Sequence, residues 1–298
     1  MQDRDKATEA KYKRLISLLH DLGGVVIAFS GGVDSTLLTR VAFDVLGDRA
    51  LAVTAVSSVY TVEENEAAVA MARQIGIRHR LLKTEVMSDE RFVSNAPERC
   101  YYCKRALFRS LRQLADEEGL PWVIEGSNID DLQDFRPGSK AAAETGVCSP
   151  MVKAGLNKED IRRISRKLGL STWKKLSMAC LASRIPYGTR LTVENLQRVA
   201  QAEKLLCGLG FGQVRVRDYG CLARIEVEKE KLPEALRLAE EILPGLIALG
   251  YKYVTLDLAG FRSGSMNLVL TNRKRQYISR TLSKRGQRYK LLPSRRGD

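Results

Sequence analysis

Histidine is nearly missing from this chain: there are two, His20 and His79, among 298 residues. They stand at no metal-binding spacing, so a histidine-built metal centre is excluded. Long apolar runs are missing as well. No stretch approaches the roughly 18 to 20 consecutive apolar residues of a membrane span, and the opening "MQDRDKATEAKYKR" has no apolar core to serve as a signal peptide. The chain is therefore expected in the cytoplasm, with no membrane partner. Its six cysteines lack the dense spacing of a secreted disulfide scaffold, which fits reduced thiols available for chemistry or metal.

What is present includes enough hydrophobic residue, 44% of the chain, to fill one large or two ordinary cores. The formal charge of +14 points to an anionic partner, but the excess is concentrated at one end. Residues 271–298 hold ten Lys/Arg against one acid, nine of the fourteen charges, so the body is only mildly basic. Such a tail either engages nucleic acid or another acidic surface, or is simply solvated.

The first half alternates short apolar runs ("VVIAF", "LAVTAV", "HRLLK", "WVIEG") with amphipathic stretches such as "TLLTRVAFDVL", "VEENEAAVAMARQIG" and "CKRALFRSLRQLADEEG". This βαβ rhythm predicts an α/β domain with a parallel sheet, helices on both faces, and ligands at the carboxyl ends of the strands. The segment "NKEDIRRISRKLG" reads as a helix with Asn157 as N-cap and Gly169 as its stop. Past "ACLASRIPYGTRLT" comes an α-β-β-α-β string: a helix over 193–209, "FGQVRVRDYG", "CLARIEVE", "KLPEALRLAEEIL" and "YKYVTLDL". The expected organisation is a first domain over 1–185, a smaller α/β domain over 186–270, and the basic tail over 271–298.

The run "FSGGVDST" at 29–36 follows a strand and opens a helix, as a phosphate loop should, yet it contains no lysine. A Walker loop, G-x-x-x-x-G-K-[ST], neutralises phosphate with that lysine. Here the amides and hydroxyls of Ser30, Gly31, Gly32 and Ser35 still make an anion site at a helix N-terminus, whereas Asp34 would repel bare phosphate. The aspartate makes sense if Mg²⁺ bridges carboxylate and phosphate, because that hard cation takes oxygen ligands from both. At 30–35 the chain resembles the PP-loop family of ATP pyrophosphatases, whose signature is S-G-G-x-D-S. The resemblance implies an adenine nucleotide alpha hydrolase-like fold for the first domain, ATP and Mg²⁺ as cofactors, and cleavage of ATP to AMP and pyrophosphate. Adenylation makes a leaving group of a carboxylate or amide-like oxygen, which ammonia or sulfur then displaces.

The cysteines bear on that choice of nucleophile. "ERCYYCK" sets Cys100 and Cys103 at C-x-x-C spacing, and "SMACLASRIPYG" carries Cys180. Two close thiols can ligate one metal, form a redox disulfide or simply pack. With a third thiolate they could hold three irons of a [4Fe-4S] cluster and leave the fourth open for sulfide. The stretches "ERCYYCKRALF", "EGSNIDDLQDFRPGSKAAAETGVCSPM", "ACLASRIPYGTRLT", "VRVRDYGCLARIEV" and "VTLDLAGFRSGSMN" together resemble the ATP-dependent sulfur transferases that make the nickel-pincer nucleotide of lactate racemase. This similarity covers residues 13–270.

That resemblance implies adenylation of the carboxylates of pyridinium-3,5-biscarboxylic acid mononucleotide and their conversion to thiocarboxylates. It implies two alternative sulfur sources. Either Cys180 surrenders its own sulfur, or Cys100, Cys103 and Cys180 hold a [4Fe-4S] cluster that accepts sulfide or another sulfur donor. All three cysteines are present, which favours the cluster. A homo-oligomer is a further family expectation. Two stretches depart from the family pattern: "KKLSMAC" stands where an Asp-Lys-Pro type sequence is common, and "RDYG" where histidine is common.

Other candidates surround these motifs. Gly126 permits close backbone approach at a strand end, and Asn128 and Asp131 could contact nucleotide or metal, or form an Asx turn. Lys104 could neutralise phosphate or be solvated. Arg184, beside Cys180, could grip an anionic substrate or belong to a rigid turn. Alternation puts Arg215 and Arg217 on one face of a strand, which suits a phosphate or carboxylates, or else water; by resemblance this pair and Glu226 belong to the substrate end. Cys148, Cys207 and Cys221 read as ordinary small residues.

Two other functions compete. A tRNA thiolation enzyme would share the phosphate loop, the adenylation and a three-cysteine cluster, and the basic tail speaks for it; no zinc-ribbon cysteine set or aromatic-rich RNA surface accompanies the tail. A non-catalytic anion-binding protein would keep the loop without needing Asp34 or the cysteines.

Overall fold

The protein, described by a computed structural model over residues 2–132, 137–176, 179–262 and 264–270, is organised by two sheets. Strands β1 (Val25–Ala28), β2 (Ala50–Val56), β3 (Arg78–Lys83) and β4 (Trp122–Ile124) are all parallel, in the order β3-β2-β1-β4. Around them run α1 (Gln2–Leu22), α2 (Val33–Leu46), α3 (Val62–Ile75), α4 (Glu90–Val93), α5 (Arg99–Glu117), α6 (Pro137–Glu144), α7 (Pro150–Ala154) and α8 (Lys158–Lys167). The central strands are apolar apart from the buried Thr54, because both faces are covered. Val25, Ile27, Ala50 and Ala52 face one core with α1, α2, α3 and α8, while Val26, Leu51 and Val53 face a second core with α5 and α6. The expected α/β architecture with a parallel sheet is what the chain forms.

Strand order places the ligand crevice. From β1 the chain moves outward through β2 to β3, then returns to the other side of β1 to form β4. The carboxyl ends of β1 and β4 therefore diverge at a topological switch point, where open α/β sheets bind ligands. Residues 29–32 leave β1 and residues 125–128 leave β4 at this crevice.

The second sheet joins β5 (Val214–Asp218) antiparallel to β6 (Leu222–Val227), and β6 parallel to β7 (Tyr253–Leu256). Helices α9 (Val193–Gly208), α10 (Leu232–Arg237) and α11 (Ala239–Ala248) accompany it. The single helix expected from "KLPEALRLAEEIL" is in fact two, because Leu238 leaves helical geometry at φ −89° and ψ 14°. Ala202 and Leu206 of α9 pack on the second sheet. Leu196 and Val199 of the same helix pack instead with Val59, Phe92, Leu181 and Ile185, so α9 ties the second sheet to the loops beyond β2. No described helix is long and apolar enough to cross a membrane. The basic tail at 271–298 lies outside the described residues.

Helix α8 begins as expected: Asn157 Oδ1 accepts from Asp160 N at 2.8 Å, and Asp160 returns a carboxylate to Asn157 N. Gly169 follows its end at φ 69°, which a Cβ would disfavour. Asn157→Ala removes the cap and is expected to cost about 1 kcal/mol, measured by urea denaturation.

Candidate active site

Ser30 and Ser35 fold the glycine-rich loop onto itself: their hydroxyls lie 3.1 Å apart, and Ser30 N donates to Ser35 Oγ at 3.3 Å. Gly32 is the N-cap of α2 and offers no side-chain cap, so amides of the first turn face the loop. Gly31 has φ +65°, and a Cβ there would stand 3.0 Å from Ala68 Cα of α3; glycine is needed for both reasons. Asp34 sits half-buried in the first turn of α2. A Cβ on Gly126 would meet Ser35 N at 3.1 Å, so Gly126 lets the exit of β4 press against the loop, the close approach expected of it.

Beside Gly126, the buried Glu125 accepts from Ser149 Oγ at 2.6 Å and pairs with Lys104 Nζ at 3.3 Å. Burial opposes its charge, but Lys104 and the hydrogen bonds from Ser127 and Ser149 prevail and hold its carboxyl below the ordinary range. Lys104 thus has a carboxylate partner within the protein, so it is not the purely solvated lysine. Asn128 and Asp131 form a turn. Asn128 N donates to Asp131 Oδ2 at 3.2 Å and Asp130 N to Asn128 Oδ1 at 3.0 Å, the Asx alternative. Asn128 Nδ2 is buried and finds no hydrogen-bond partner among the described residues.

The two thiols of the C-x-x-C pair lie in the first two turns of α5, and Cys180 precedes a 3-10 turn at Leu181–Arg184. None of the three is in a disulfide; Cys100 is exposed, and Cys103 and Cys180 are half-buried against one apolar cluster. Burial pushes the Cys103 thiol up to about 12, with Cys180 and then Cys100 adding to the rise. Tyr60 is raised by burial and by the same three cysteines. The three sulfurs therefore share one neighbourhood, although no three described His, Cys, Asp or Glu side chains are grouped to hold a metal ion. Cys207 and Cys221 are exposed, and His79 bonds Thr54 Oγ1 at 2.9 Å.

Arg184 departs from the substrate-gripping role. It is 4% exposed, its Nε and Nη2 clamp Glu203 of α9 at 2.9 and 2.8 Å, and its Nη1 donates to the carbonyls of Ala179 and Cys180. These bonds fix the backbone carrying Cys180 and leave the guanidinium engaged by protein. Arg217 is likewise engaged: it forms a two-pronged pair with Glu226, at 3.0 and 2.6 Å, and donates to Ser183 O at 2.9 Å. Glu226 is fully buried and also accepts from Arg224. This pair is a buried strut rather than a substrate contact, because each charge already has its counter-ion.

Arg215 differs from its neighbour. Both arginines are buried, which overturns the solvated-strand alternative. Burial, then the charge of Arg184, pull Arg215 down to about 10, with Glu203 only partly opposing and Arg217 adding to the fall. An arriving anion would relieve that strain. Arg215 also stacks on Phe261 at 5.3 Å.

Residues 14–99 match the NAD synthase family. The pyridinium-3,5-bisthiocarboxylic acid mononucleotide synthase of Lactiplantibacillus plantarum is 40% identical over 262 residues, covering 88% of this chain and 95% of that protein. The chain belongs to the pyridinium-3,5-bisthiocarboxylic acid mononucleotide synthase family. It is an ATP-dependent sulfurtransferase of the PP-loop kind. An uncharacterized protein of Synechocystis sp. is 46% identical, covering 88% of this chain and 99% of that protein. A probable tRNA sulfurtransferase of Methanothermobacter thermautotrophicus is 26% identical and covers only 49% of this chain and 40% of that protein.

Several residues of this family member escaped the sequence. Glu64 was visible only as the partner of Thr61 in a capping box, yet its charge reaches Lys175, Arg184 and Arg215. Asn95, at φ 57°, donates to the carbonyls of Ile185, Pro186 and Thr189 and accepts from Arg99, whose guanidinium covers Tyr187 at 4.5 Å. Lys175 Nζ donates to Gly31 O at 3.0 Å. No local pattern marks these contacts. Arg217→Ala would leave Glu226 buried with Arg224 as its one remaining cation among the described residues; the expected loss is about 3 kcal/mol, read by denaturation. The double variant Arg217→Met/Glu226→Leu is expected to regain most of it.

Proposed function

We propose that this sulfurtransferase adenylates a carboxylate of pyridinium-3,5-biscarboxylic acid mononucleotide and then exchanges the activated oxygen for sulfur. The carboxylate attacks the α-phosphorus of ATP and releases pyrophosphate. A sulfur nucleophile next adds to the acyl adenylate and expels AMP, leaving a thiocarboxylate. The observation that carries this reading is that the thiol-bearing helix and the glycine-rich loop meet at one pair: Lys104, next in sequence to Cys103, bonds Glu125, and the neighbouring Gly126 packs against Ser35 N. The Cys180 segment is bonded to the exit of β2 through Leu181 N and Val59 O at 2.9 Å, and the three cysteines bear on one another in that same place.

Within this reading Ser30, Gly31, Gly32 and Ser35 receive the pyrophosphate of ATP, and Asp34 takes Mg²⁺. Lys104 and Glu125 stand at the β4 side of the crevice, beside the nucleotide. Arg215 faces the anionic substrate, while Arg184, Arg217 and Glu226 hold the Cys180 segment and β5 in place. Cys100, Cys103 and Cys180 would hold a [4Fe-4S] cluster. A four-iron cube ligated at separate corners asks for thiols further apart than one ion does, which is compatible with shared charge effects and no single-ion site. When bound, the cluster supplies an open iron that can carry sulfide.

Incubation with Mg-ATP and the dicarboxylate mononucleotide is expected to release pyrophosphate and yield a product whose mass reports oxygen-to-sulfur exchange, and Asp34→Asn is expected to abolish AMP formation. Sulfur found in bulk unmodified tRNA instead would overturn the substrate assignment. Anaerobic reconstitution is expected to give about four irons per chain, lost in Cys103→Ala. Iron-free wild type that still transfers sulfur, with mass lost at Cys180, would establish sacrifice of that cysteine.

A further inference from the structure

We propose that Lys175 supplies the phosphate-neutralising charge that the glycine-rich loop itself omits. The assignment rests on ATP being held by residues 30–35. Between Ser30 and Ser35 there is no cation, and Asp34 adds negative charge where phosphate would lie. The fold delivers a lysine from 144 positions away: Lys175 Nζ donates to Gly31 O at 3.0 Å. An ammonium carries three hydrogens. Gly31 O is the one acceptor found for Lys175 among the described residues, so two hydrogens remain for phosphate oxygens arriving at the first turn of α2.

The backbone under Lys175 is fixed. It follows a 3-10 turn at Ser171–Lys174, its N–H donates to Thr172 O at 2.8 Å, and Arg162 of α8 donates to Lys175 O at 3.0 Å. The side chain is therefore aimed rather than free to wander, which lowers the entropy lost on gripping an anion. Burial weakens its ammonium, and Glu64 opposes that effect through charge. The other lysine beside the loop, Lys104, is paired with the Glu125 carboxylate. Lys175 bonds a neutral carbonyl and so keeps its charge for a ligand.

The test is isothermal calorimetry of full-length wild type, Lys175→Met and Lys175→Arg with Mg-ATP and with AMP. Lys175→Met is expected to weaken Mg-ATP by about ten- to hundredfold, to leave AMP within about twofold, and to recover largely in Lys175→Arg. Lys175→Gln, which keeps a donor for Gly31 O, carries the expectation of Lys175→Met should methionine disturb the loop. Unchanged affinity for Mg-ATP, or equal weakening of both nucleotides, would overturn the role. Folded wild type that binds no ATP would overturn the nucleotide site at 30–35 and the role of Lys175 with it.

Discussion

The clamp between Arg184 and Glu203 is the contact on which the site depends. Glu203 lies on α9, the helix that packs on the second sheet and on the loops beyond β2, and also accepts from Val216 N of β5 at 3.0 Å. Arg184 lies one turn beyond Cys180 and holds that cysteine's carbonyl. One carboxylate thus registers the cysteine segment, α9 and β5 against each other. Two buried charges gain little net stability over a well-packed apolar pair, but they tolerate few alternative arrangements. The clamp is accordingly better understood as fixing geometry than as adding stability.

A second buried pair, Arg217 with Glu226, extends the same logic to the far side of the segment through Ser183 O. With both of these arginines neutralised, Arg215 shows the opposite balance: burial, and after it the charge of Arg184, depresses its pKa to about 10. It remains cationic near neutrality, and an anion bound beside it would raise that value again. Electrostatic strain of this kind is a common mark of a ligand site. Cys103 shows the complementary effect: burial and two neighbouring thiols keep it protonated, a state that a bound metal would reverse.

Much of the fold was legible. Alternating apolar strands and amphipathic helices encode a parallel sheet because each burial pattern is local, and the Asn157 cap and Gly169 stop need only neighbouring residues. The loop at 30–35 and the cysteine spacing were legible for the same reason. The break at Leu238 was not, since nothing in "KLPEALRLAEEIL" marks it. Among the arginines the sequence showed position without partners. Arg215 and Arg217 share a face of β5, yet one is neutralised by Glu226 and the other crowded by Arg184.

The sequence alone determined that this chain builds a strand, a lysine-free phosphate loop and a helix in succession, and that it carries three cysteines suited to sulfur chemistry. Only the tertiary structure decided that Lys175 reaches Gly31, that Lys104 turns to Glu125, and that Arg184 serves the Cys180 backbone. The reason is physical: polar contacts and charge pairs are set by distance and desolvation between residues up to 158 positions apart in the chain, and neither quantity exists until the sheets have packed.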